Sequence, residues 1–324
     1  MAGSEQVLIT FRDVTKTYED GTVAVQSFNL EIKEGEFFVL IGPSGCGKTT
    51  TLKMINRLHN VTNGDILIDG KSISDHNIHE LRWNIGYVLQ QIALFPHMTI
   101  EENISIVPEL KSWKKVDISK RVDELLDLVG LDPSTYKKRK PSELSGGQQQ
   151  RVGVARALAA NPPIILMDEP FSALDPLSRE QLQQDFLKLK EKIQKTIVFV
   201  THDMNEALTL GDRICLMKDG ETVQVGTPEE FINHPKDDFV KSFIGDRRSV
   251  LQQPIGELLE HLKLDPPVTP SREVDSSVPL GEALAVLSEE KVLTVMRENE
   301  PVGILTSENA LQFLHIHSKE GGLV

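Results

Sequence analysis

The chain has 324 residues with 48 Asp and Glu against 35 Lys and Arg, so its formal net charge at pH 7 is −13. This excess of negative charge argues against a nucleic-acid partner, because phosphates attract Lys and Arg. No apolar run approaches the roughly 20 residues that span a bilayer, and no signal-peptide core is seen, which together predict a cytosolic protein. The two cysteines, Cys46 and Cys215, lie far apart in sequence, and we expect both to be reduced thiols.

Apolar strand-like runs alternate with helical patterns along residues 1–245, and this alternation is typical of an α/β domain. The runs are residues 37–42, 65–70, 85–90, 164–170, 196–203 and 213–220. Several are almost wholly apolar, which predicts strands covered on both faces of a parallel sheet. Helical stripes of apolar residues lie between them, at Leu52, Ile55 and Leu58 and at Leu182, Phe186, Leu189 and Ile193.

Three later stretches depart from this alternation. Residues from about 97 to 160 carry helix-like segments and no strand pattern, which predicts a helical insertion within the domain 1–245. Residues 246–270 include a stretch rich in Pro and Ser and are predicted to be a linker. From 271 to 324 the order helix, strand, turn, strand, helix predicts one small α+β domain.

A glycine-rich loop follows the first apolar run and precedes a helical pattern. Its residues fit the spacing G-x-x-x-x-G-K-[ST]: Gly42, Pro43, Ser44, Gly45, Cys46, Gly47, Lys48 and Thr49. Glycines let successive backbone N–H groups turn toward one anion, and the start of the following helix adds its partial positive charge. Lys48 can reach the β and γ phosphates, Thr49 can ligate Mg²⁺, and Thr50 can donate to a phosphate. The loop therefore predicts a nucleotide site.

The apolar run IILMDEP at 164–170 ends in two carboxylates, Asp168 and Glu169. The carboxyl ends of parallel strands meet at the edge where α/β sheets bind ligands. Asp168 suits the ligand shell of Mg²⁺, and Glu169 suits a base that orients and polarises the attacking water. An ordinary acidic strand end is the alternative. The glycine-rich loop at 42–49, a P-loop, favours the catalytic interpretation. A P-loop by itself would also fit a small-molecule kinase or a GTPase.

The segment LSGGQQQR at 144–151 separates these classes. Ser145, Gly146, Gly147 and Gln148 supply a second set of phosphate-directed amides at the start of a helix. With this motif in place, residues 5–245 resemble the nucleotide-binding subunit of ABC transporters. The resemblance implies a P-loop NTPase fold of the ABC type, with a helical insertion, that binds and hydrolyses ATP with Mg²⁺.

The resemblance also implies roles for single residues. Tyr18 in VTKTYEDG looks like the aromatic side chain that stacks on adenine. Gln90 in YVLQQ looks like the glutamine that touches Mg²⁺ and senses the membrane partner. Asp175 in SALD looks like the D-loop residue that reaches across a dimer interface. His202 in VTHD looks like the switch histidine, which contacts the γ-phosphate and acts with Glu169 in catalysis.

A complete site in this family needs the P-loop of one subunit and the LSGGQ of another, and the chain holds one of each. The resemblance therefore implies a second ATPase subunit, as a homodimer or with a paralogue, closed head to tail over two ATP. Ser145 and Gly147 of one copy would cap the γ-phosphate held by Lys48 of the other. The implied Mg²⁺ ligands are Thr49, Gln90 and Asp168.

Two further segments narrow the resemblance. QQIALFPHMTIEENI (90–104) resembles the stretch that docks a membrane permease, which implies a location at the cytoplasmic face of the bacterial cell membrane. Residues 219–248 and the tail resemble the ATPases of bacterial uptake systems for quaternary ammonium compounds such as glycine betaine, carnitine and choline. Such systems imply a substrate-binding protein or domain as a further partner. A related solute, such as a trimethylated histidine betaine, is the alternative.

Two other classes of function compete with transport. A soluble ABC ATPase that works on DNA or the ribosome typically carries a long coiled coil or two cassettes, and this acidic chain has neither pattern. A nucleotide sensor with a vestigial ATPase is disfavoured by the intact residues Lys48, Asp168, Glu169 and His202.

The tail from 271 to 318 resembles a CBS domain, with VGILTSEN (302–309) at the strand-to-helix corner. Members of that family usually pair two repeats around a nucleotide, whereas this chain has one repeat. The acid that often holds a ribose is replaced by Asn309. These departures favour dimerisation or packing over nucleotide sensing as the role of the tail.

Overall fold

The computed structural model describes most of the chain, in two compact units that comprise residues 1–240 and 241–324. The described residues are 6–91, 93–172, 179, 182, 183, 185–187, 190, 193, 195–244, 254–256, 272–287, 290, 292–298 and 300–306. Asp175 and Asn309, and all of the predicted linker except 254–256, lie outside these residues. No helix among the described residues is long and apolar enough to cross a bilayer.

A four-stranded antiparallel sheet includes the first strands of the chain. Its members are β1 (Val7–Thr17), β2 (Val23–Lys33), β4 (Asn63–Ile68) and β5 (Lys71–Ser72), in the order β2-β1-β4-β5. The sequence did not predict β1 and β2, and the run 65–70 belongs to this sheet instead of the parallel one. The reason is its turn: Asp69 and Gly70 both have positive φ, 50° and 73°, and such a two-residue turn returns the chain as an antiparallel hairpin.

A six-stranded sheet forms the centre of the first unit. Its strands are β3 (Phe37–Ile41), β6 (Ile85–Val88), β7 (Ile164–Asp168), β8 (Thr196–Thr201), β9 (Arg213–Lys218) and β10 (Glu221–Gly226). The order is β10-β9-β3-β8-β7-β6, and all pairs are parallel except β10 with β9. Every residue of β3, β7 and β8 is buried, as expected for strands covered on both faces. The other five apolar runs are therefore confirmed as strands of a mainly parallel sheet.

Helices alternate with these strands along the chain, and the helices that lie between β6 and β7 in sequence form a separate helical layer. The helices include α1 (Lys48–Ile55), α2 (Ile78–Trp83), α3 (Ile100–Leu110), α4 (Lys115–Leu128), α5 (Pro133–Tyr136), α6 (Gly146–Leu158), α7 (Met204–Leu210), α8 (Pro228–Asn233) and α9 (Asp238–Ile244). α3, α4 and α6 pack together, and α6 also contacts β6. Residues 97–160 contain these helices and no strand.

The two predicted helical stripes have different outcomes. Leu52 and Ile55 are fully buried on α1, but α1 ends at Ile55 and Leu58 is half exposed beyond it. Arg57 has a positive φ of 53°, which ends the helical path before Leu58. In the second stripe the described residues 182, 183, 185–187, 190 and 193 are helical, and Leu182 and Phe186 are buried, whereas Leu189 lies outside the described residues.

The second unit is a small α+β structure. It contains β11 (Arg272–Asp275), α10 (Leu280–Leu287), β12 (Val292–Arg297) and β13 (Glu300–Thr306), with strand order β11-β12-β13. β11 and β12 are parallel, whereas β12 and β13 are antiparallel. The predicted helix and two strands are present, β11 was not predicted, and the last predicted helix lies outside the described residues. Its resemblance to a CBS domain stays a prediction.

Candidate nucleotide site

The P-loop lies between the end of β3 and the start of α1, and two of its glycines touch other strands. A Cβ atom at Gly47, where φ is 102°, would lie 2.3 Å from the carbonyl oxygen of Ala24 in β2. A Cβ atom at Gly42 would lie 2.1 Å from the carbonyl oxygen of Met217 in β9. The loop is therefore packed too closely against its neighbours for any side chain at these positions, whereas Pro43, Ser44 and Gly45 are exposed.

The ammonium group of the loop is buried and is bonded to backbone carbonyl oxygens of the loop itself. Lys48 is 5% exposed, and its Nζ donates to the carbonyl oxygens of Gly42 (2.7 Å) and Pro43 (2.9 Å). The first turn of α1, residues 48–51, contains no acidic side chain that would offset the partial positive charge of the helix start. The loop thus combines an ammonium group with a helix N-terminus, which is the arrangement that favours a bound phosphate.

The end of β7 places Asp168 against the P-loop helix. Thr49 Oγ1 donates to Asp168 Oδ1 at 2.7 Å, and the hydroxyl of Tyr87 donates to Oδ2 at 3.5 Å. Burial raises the pKa of Asp168 above its ordinary value, although the bond from Thr49 opposes this shift. Burial and the charge of Asp168 raise the pKa of Tyr87, so that its hydroxyl keeps its proton. The structure therefore brings together the hydroxyl and the carboxylate predicted to bind the metal.

Glu169 follows β7 and contacts side chains that follow β6 and β8. Its Oε2 accepts from Gln90 Nε2 at 3.1 Å and lies 3.2 Å from His202 Nδ1. Its backbone has a positive φ of 43° and is fixed by bonds from its N–H to Val200 (2.9 Å) and from the Ser172 hydroxyl to its carbonyl (2.9 Å). A non-glycine residue held in this region stores strain that is typical of functional sites.

The aromatic position near the P-loop is bonded to α1. The hydroxyls of Tyr18 and Thr50 lie 3.0 Å apart, so Thr50, predicted to donate to a phosphate, has Tyr18 as its partner here. His59 meets the Tyr18 ring edge-on at 5.9 Å, and Lys16 lies 5.2 Å from the ring centroid. Burial, assisted by Lys53 and Lys16, lowers the pKa of His59, which keeps this imidazole neutral.

The signature segment, LSGGQQQR at 144–151, lies apart from the P-loop, in the helical layer. Ser145 caps α6: its Oγ accepts from Gln148 N at 3.3 Å, and Gln148 Oε1 accepts from Ser145 N at 3.0 Å. Gln148 Nε2 also donates to the hydroxyl of Tyr136 at 3.0 Å. Gly146 and Gly147 form the first turn of α6. These side chains bond within the helical layer and not with the P-loop residues described above.

Sequence reasoning missed two residues of the site. Tyr87 touches Asp168, and Ser172 fixes the carbonyl of Glu169. Ser172 belongs to the quoted SALD segment, so its position beside Glu169 was available from the sequence. Tyr87 has no such signal, because its role depends on β6 lying next to β7 in the sheet.

A groove lies between β6 and the helical layer, next to this site. It has a volume of about 470 Å³ and is lined mainly by apolar side chains, including Trp83, Tyr87, Leu89, Phe95 and Val107. Arg156 of α6 also lines the groove, and its Nη1 donates to the carbonyl oxygen of Ala93 at 2.7 Å. Burial lowers the pKa of Arg156.

Comparison with known proteins gives one consistent family. A model of the ABC transporter family matches residues 25–172. The chain is 51% identical over 294 residues to the choline transport ATP-binding protein OpuBA of Bacillus subtilis, covering 90% of this chain and 76% of that protein. It is 46% identical over 290 residues to the osmoprotectant import ATP-binding protein OsmV of Salmonella typhimurium, covering 89% of this chain and 75% of that protein.

A solved structure agrees with the sequence relatives. The ATP-binding cassette MJ0796, in a dimeric post-hydrolysis state bound to ADP and Pi, has a TM-score of 0.61 and 42% identity. The match covers 68% of this chain and 99% of that one. The predicted family and fold of the ATPase domain are confirmed: the chain belongs to the ATP-binding proteins of the ABC transporter family.

Proposed function

We propose that this chain hydrolyses ATP to power a bacterial importer of a betaine-like quaternary ammonium solute, such as glycine betaine, carnitine or choline. The observation that carries this proposal is the extent of the likeness to relatives named for these solutes. The glycine betaine/carnitine/choline transport ATP-binding protein OpuCA of Bacillus subtilis is 51% identical over 304 residues, 93% of this chain. A trimethylated histidine betaine is a further candidate solute, because it shares the quaternary ammonium group.

For the chemistry we assign the role of general base to Glu169. Since Gln90 and His202 both approach Oε2, the second oxygen, Oε1, is the one assigned to the attacking water. His202 is assigned to the γ-phosphate, and Lys48 and the amides of the P-loop to the β and γ phosphates. Tyr18 is assigned to the adenine.

The three residues predicted to bind the metal fit a hard divalent cation. Thr49, Asp168 and the amide oxygen of Gln90 are all oxygen ligands, which Mg²⁺ prefers, and Thr49 and Asp168 are already in contact. When bound with the nucleotide, Mg²⁺ neutralises charge on the phosphates. The raised pKa of Asp168 supports this fit, because a buried carboxylate gains most from a nearby positive charge.

A second copy of the chain completes the site in this proposal. The P-loop and the signature lie on different layers of one chain, so we assign Ser145, Gly147 and the α6 N-terminus to the nucleotide bound by another copy. Asp175 is assigned to the same interface. The dimeric state of MJ0796 supports this arrangement. Closure over two ATP would supply mechanical work, and hydrolysis would reset it.

The groove beside β6 is proposed as the docking site for a permease at the cytoplasmic face of the membrane. It contains part of the stretch 90–104, and Phe95 at its edge is 44% exposed. The groove adjoins the catalytic residues through Tyr87, which bonds to Asp168. A segment inserted here would therefore contact the same strand that leads to Gln90.

Affinity purification of the full chain from membranes tests this proposal. We expect an integral permease and a substrate-binding protein or domain to accompany it, and Phe95→Glu to abolish their recovery. Val116→Glu is the matched control, because Val116 is 79% exposed on α4 and does not line the groove. Deletion of the gene should reduce uptake of radiolabelled betaine, carnitine or choline. Unchanged uptake of every quaternary ammonium solute tested would refute the assigned solute class.

A further inference from the structure

Glu206 is a buried carboxylate near the candidate site that has no part in the proposed chemistry. It lies on α7 and is 4% exposed. Its Oε2 accepts a hydrogen bond from Thr201 Oγ1 at 2.6 Å, and its Oε1 accepts one from Gln183 Nε2 at 3.2 Å. Burying such a group is costly unless each oxygen has a donor, so these two bonds are what allow it to remain there.

The bond to Thr201 acts on the backbone that carries His202. Thr201 is the last residue of β8, and its Oγ1 also accepts from the N–H of Asp203 at 3.0 Å. The chain of bonds from Asp203 through Thr201 to Glu206 therefore fixes the residues on both sides of His202. This matters because the His202 side chain is 54% exposed and has little packing of its own to hold it 3.2 Å from Glu169.

The second bond connects this backbone to a different segment. Gln183 is one of the described helical residues that follow the SALD segment in sequence. Burial and the charge of Asp203 raise the pKa of Glu206, whereas the charge of Arg179, from the same part of the chain as Gln183, lowers it. Glu206 thus joins the end of β8 to the segment that leads from the predicted D-loop.

We propose that Glu206 is a positioning residue for ATP hydrolysis, which holds His202 against Glu169 by bonding Thr201 on one side and Gln183 on the other. The inference rests on the proposed function, because it acts through His202. Loss of the network should therefore slow hydrolysis while the P-loop, which Glu206 does not touch, still binds nucleotide.

A matched pair of substitutions at Thr201 tests the hydrogen bond separately from packing. Thr201→Val keeps the buried volume and removes the hydroxyl, whereas Thr201→Ser keeps the hydroxyl and removes a methyl group. We expect Thr201→Val to lower kcat for ATP about tenfold, with the Kd for a fluorescent ATP analogue changed by less than about twofold. Thr201→Ser should retain most of the wild-type kcat. Glu206→Gln keeps an amide oxygen that can accept from Thr201 Oγ1, so it should lower kcat less than Thr201→Val does.

Glu36→Gln serves as the control for the loss of a buried carboxylate. Glu36 is 7% exposed and accepts from Lys33 N and from Arg213 Nη1, but it precedes β3 at the edge of the sheet opposite the P-loop. We expect it to lower stability and leave kcat unchanged.

The possible results separate the inference from the proposed function. Wild-type kcat in Thr201→Val, or equal slowing in Thr201→Ser, would overturn the role of the network, as would a loss of ATP affinity that matches the loss of kcat. If Glu206→Gln does not fold, the two Thr201 variants decide. Wild-type protein that does not hydrolyse ATP would overturn the proposed function and this inference together.

Discussion

Gly47→Ala isolates the effect of close packing on the P-loop, because Gly45→Ala provides a control with similar backbone geometry. Both glycines have positive φ, 102° and 81°, so alanine at either position costs about 1–2 kcal/mol of backbone strain. Only at Gly47 does the new Cβ collide, 2.3 Å from the carbonyl of Ala24, whereas nothing lies within 4 Å at Gly45. An overlap of this kind adds about 1–3 kcal/mol.

We therefore expect Gly45→Ala to lower the free energy of unfolding by about 1–2 kcal/mol and Gly47→Ala by about 2–5 kcal/mol. Urea unfolding without nucleotide measures both values. Because the Gly47 variant must move its loop away from β2, it should also lose the rise in Tm that Mg-ATP gives to the wild type. Equal destabilisation by the two variants, or a normal Mg-ATP response in Gly47→Ala, would refute this reasoning.

Glu169→Gln should lower the rate of hydrolysis by about 10²–10⁴ and should form a dimer with Mg-ATP. Size-exclusion chromatography measures the dimer, and a monomer both with and without Mg-ATP would contradict the proposed closure. Burial raises the pKa of Asp168 in the folded protein, so ionisation of this carboxylate destabilises the fold as pH rises through that pKa. Asp168→Asn should therefore resist urea unfolding better than wild type at pH 7. The difference should be lost below about pH 4, where the carboxyl is protonated in both states. Tyr18→Ala should weaken ATP binding about tenfold, because it removes the ring assigned to the adenine. Tyr18→Phe loses only the bond to Thr50 and should bind ATP normally. Equal effects of the two variants in a nucleotide titration would exclude stacking of Tyr18 on the adenine.

The central sheet and the motifs at its edge could be predicted because their signals are local. Strands covered on both faces are apolar throughout, as β3, β7 and β8 are, and the P-loop motif requires a strand before it and a helix after it. β1 was missed because polar residues between its apolar residues Ile9, Phe11 and Val14 prevent a continuous apolar run. Asp69 and Gly70 form a pair that is typical of a two-residue hairpin turn, but the apolar run 65–70 led to the prediction of a parallel strand.

Contacts between segments were harder to predict. The sequence placed Glu169 and His202 at strand ends, but their 3.2 Å approach depends on β7 and β8 being neighbours. The bond between Tyr18 and Thr50 depends on the path of the chain before β2, for which no pattern was recognised. Contact of Asp175 and the signature segment with a second copy is a property of the assembly. The sequence of one chain predicts such a contact only through its resemblance to a family.

The position of β6 has a mechanical consequence for the molecule. Among the described strands it pairs with β7 alone, through Ile85–Val88, whereas β3 is flanked on both sides. Gln90 follows β6, and Arg156 then ties the carbonyl of Ala93 to the helical layer. The strand that leads to Gln90 is therefore held by one neighbouring strand, whereas β3, which leads into the P-loop, is paired with β8 on one side and β9 on the other. In the proposed function, the strand that leads to the nucleotide site is thus fixed by more backbone pairing than the strand that leads to the glutamine assigned to the metal.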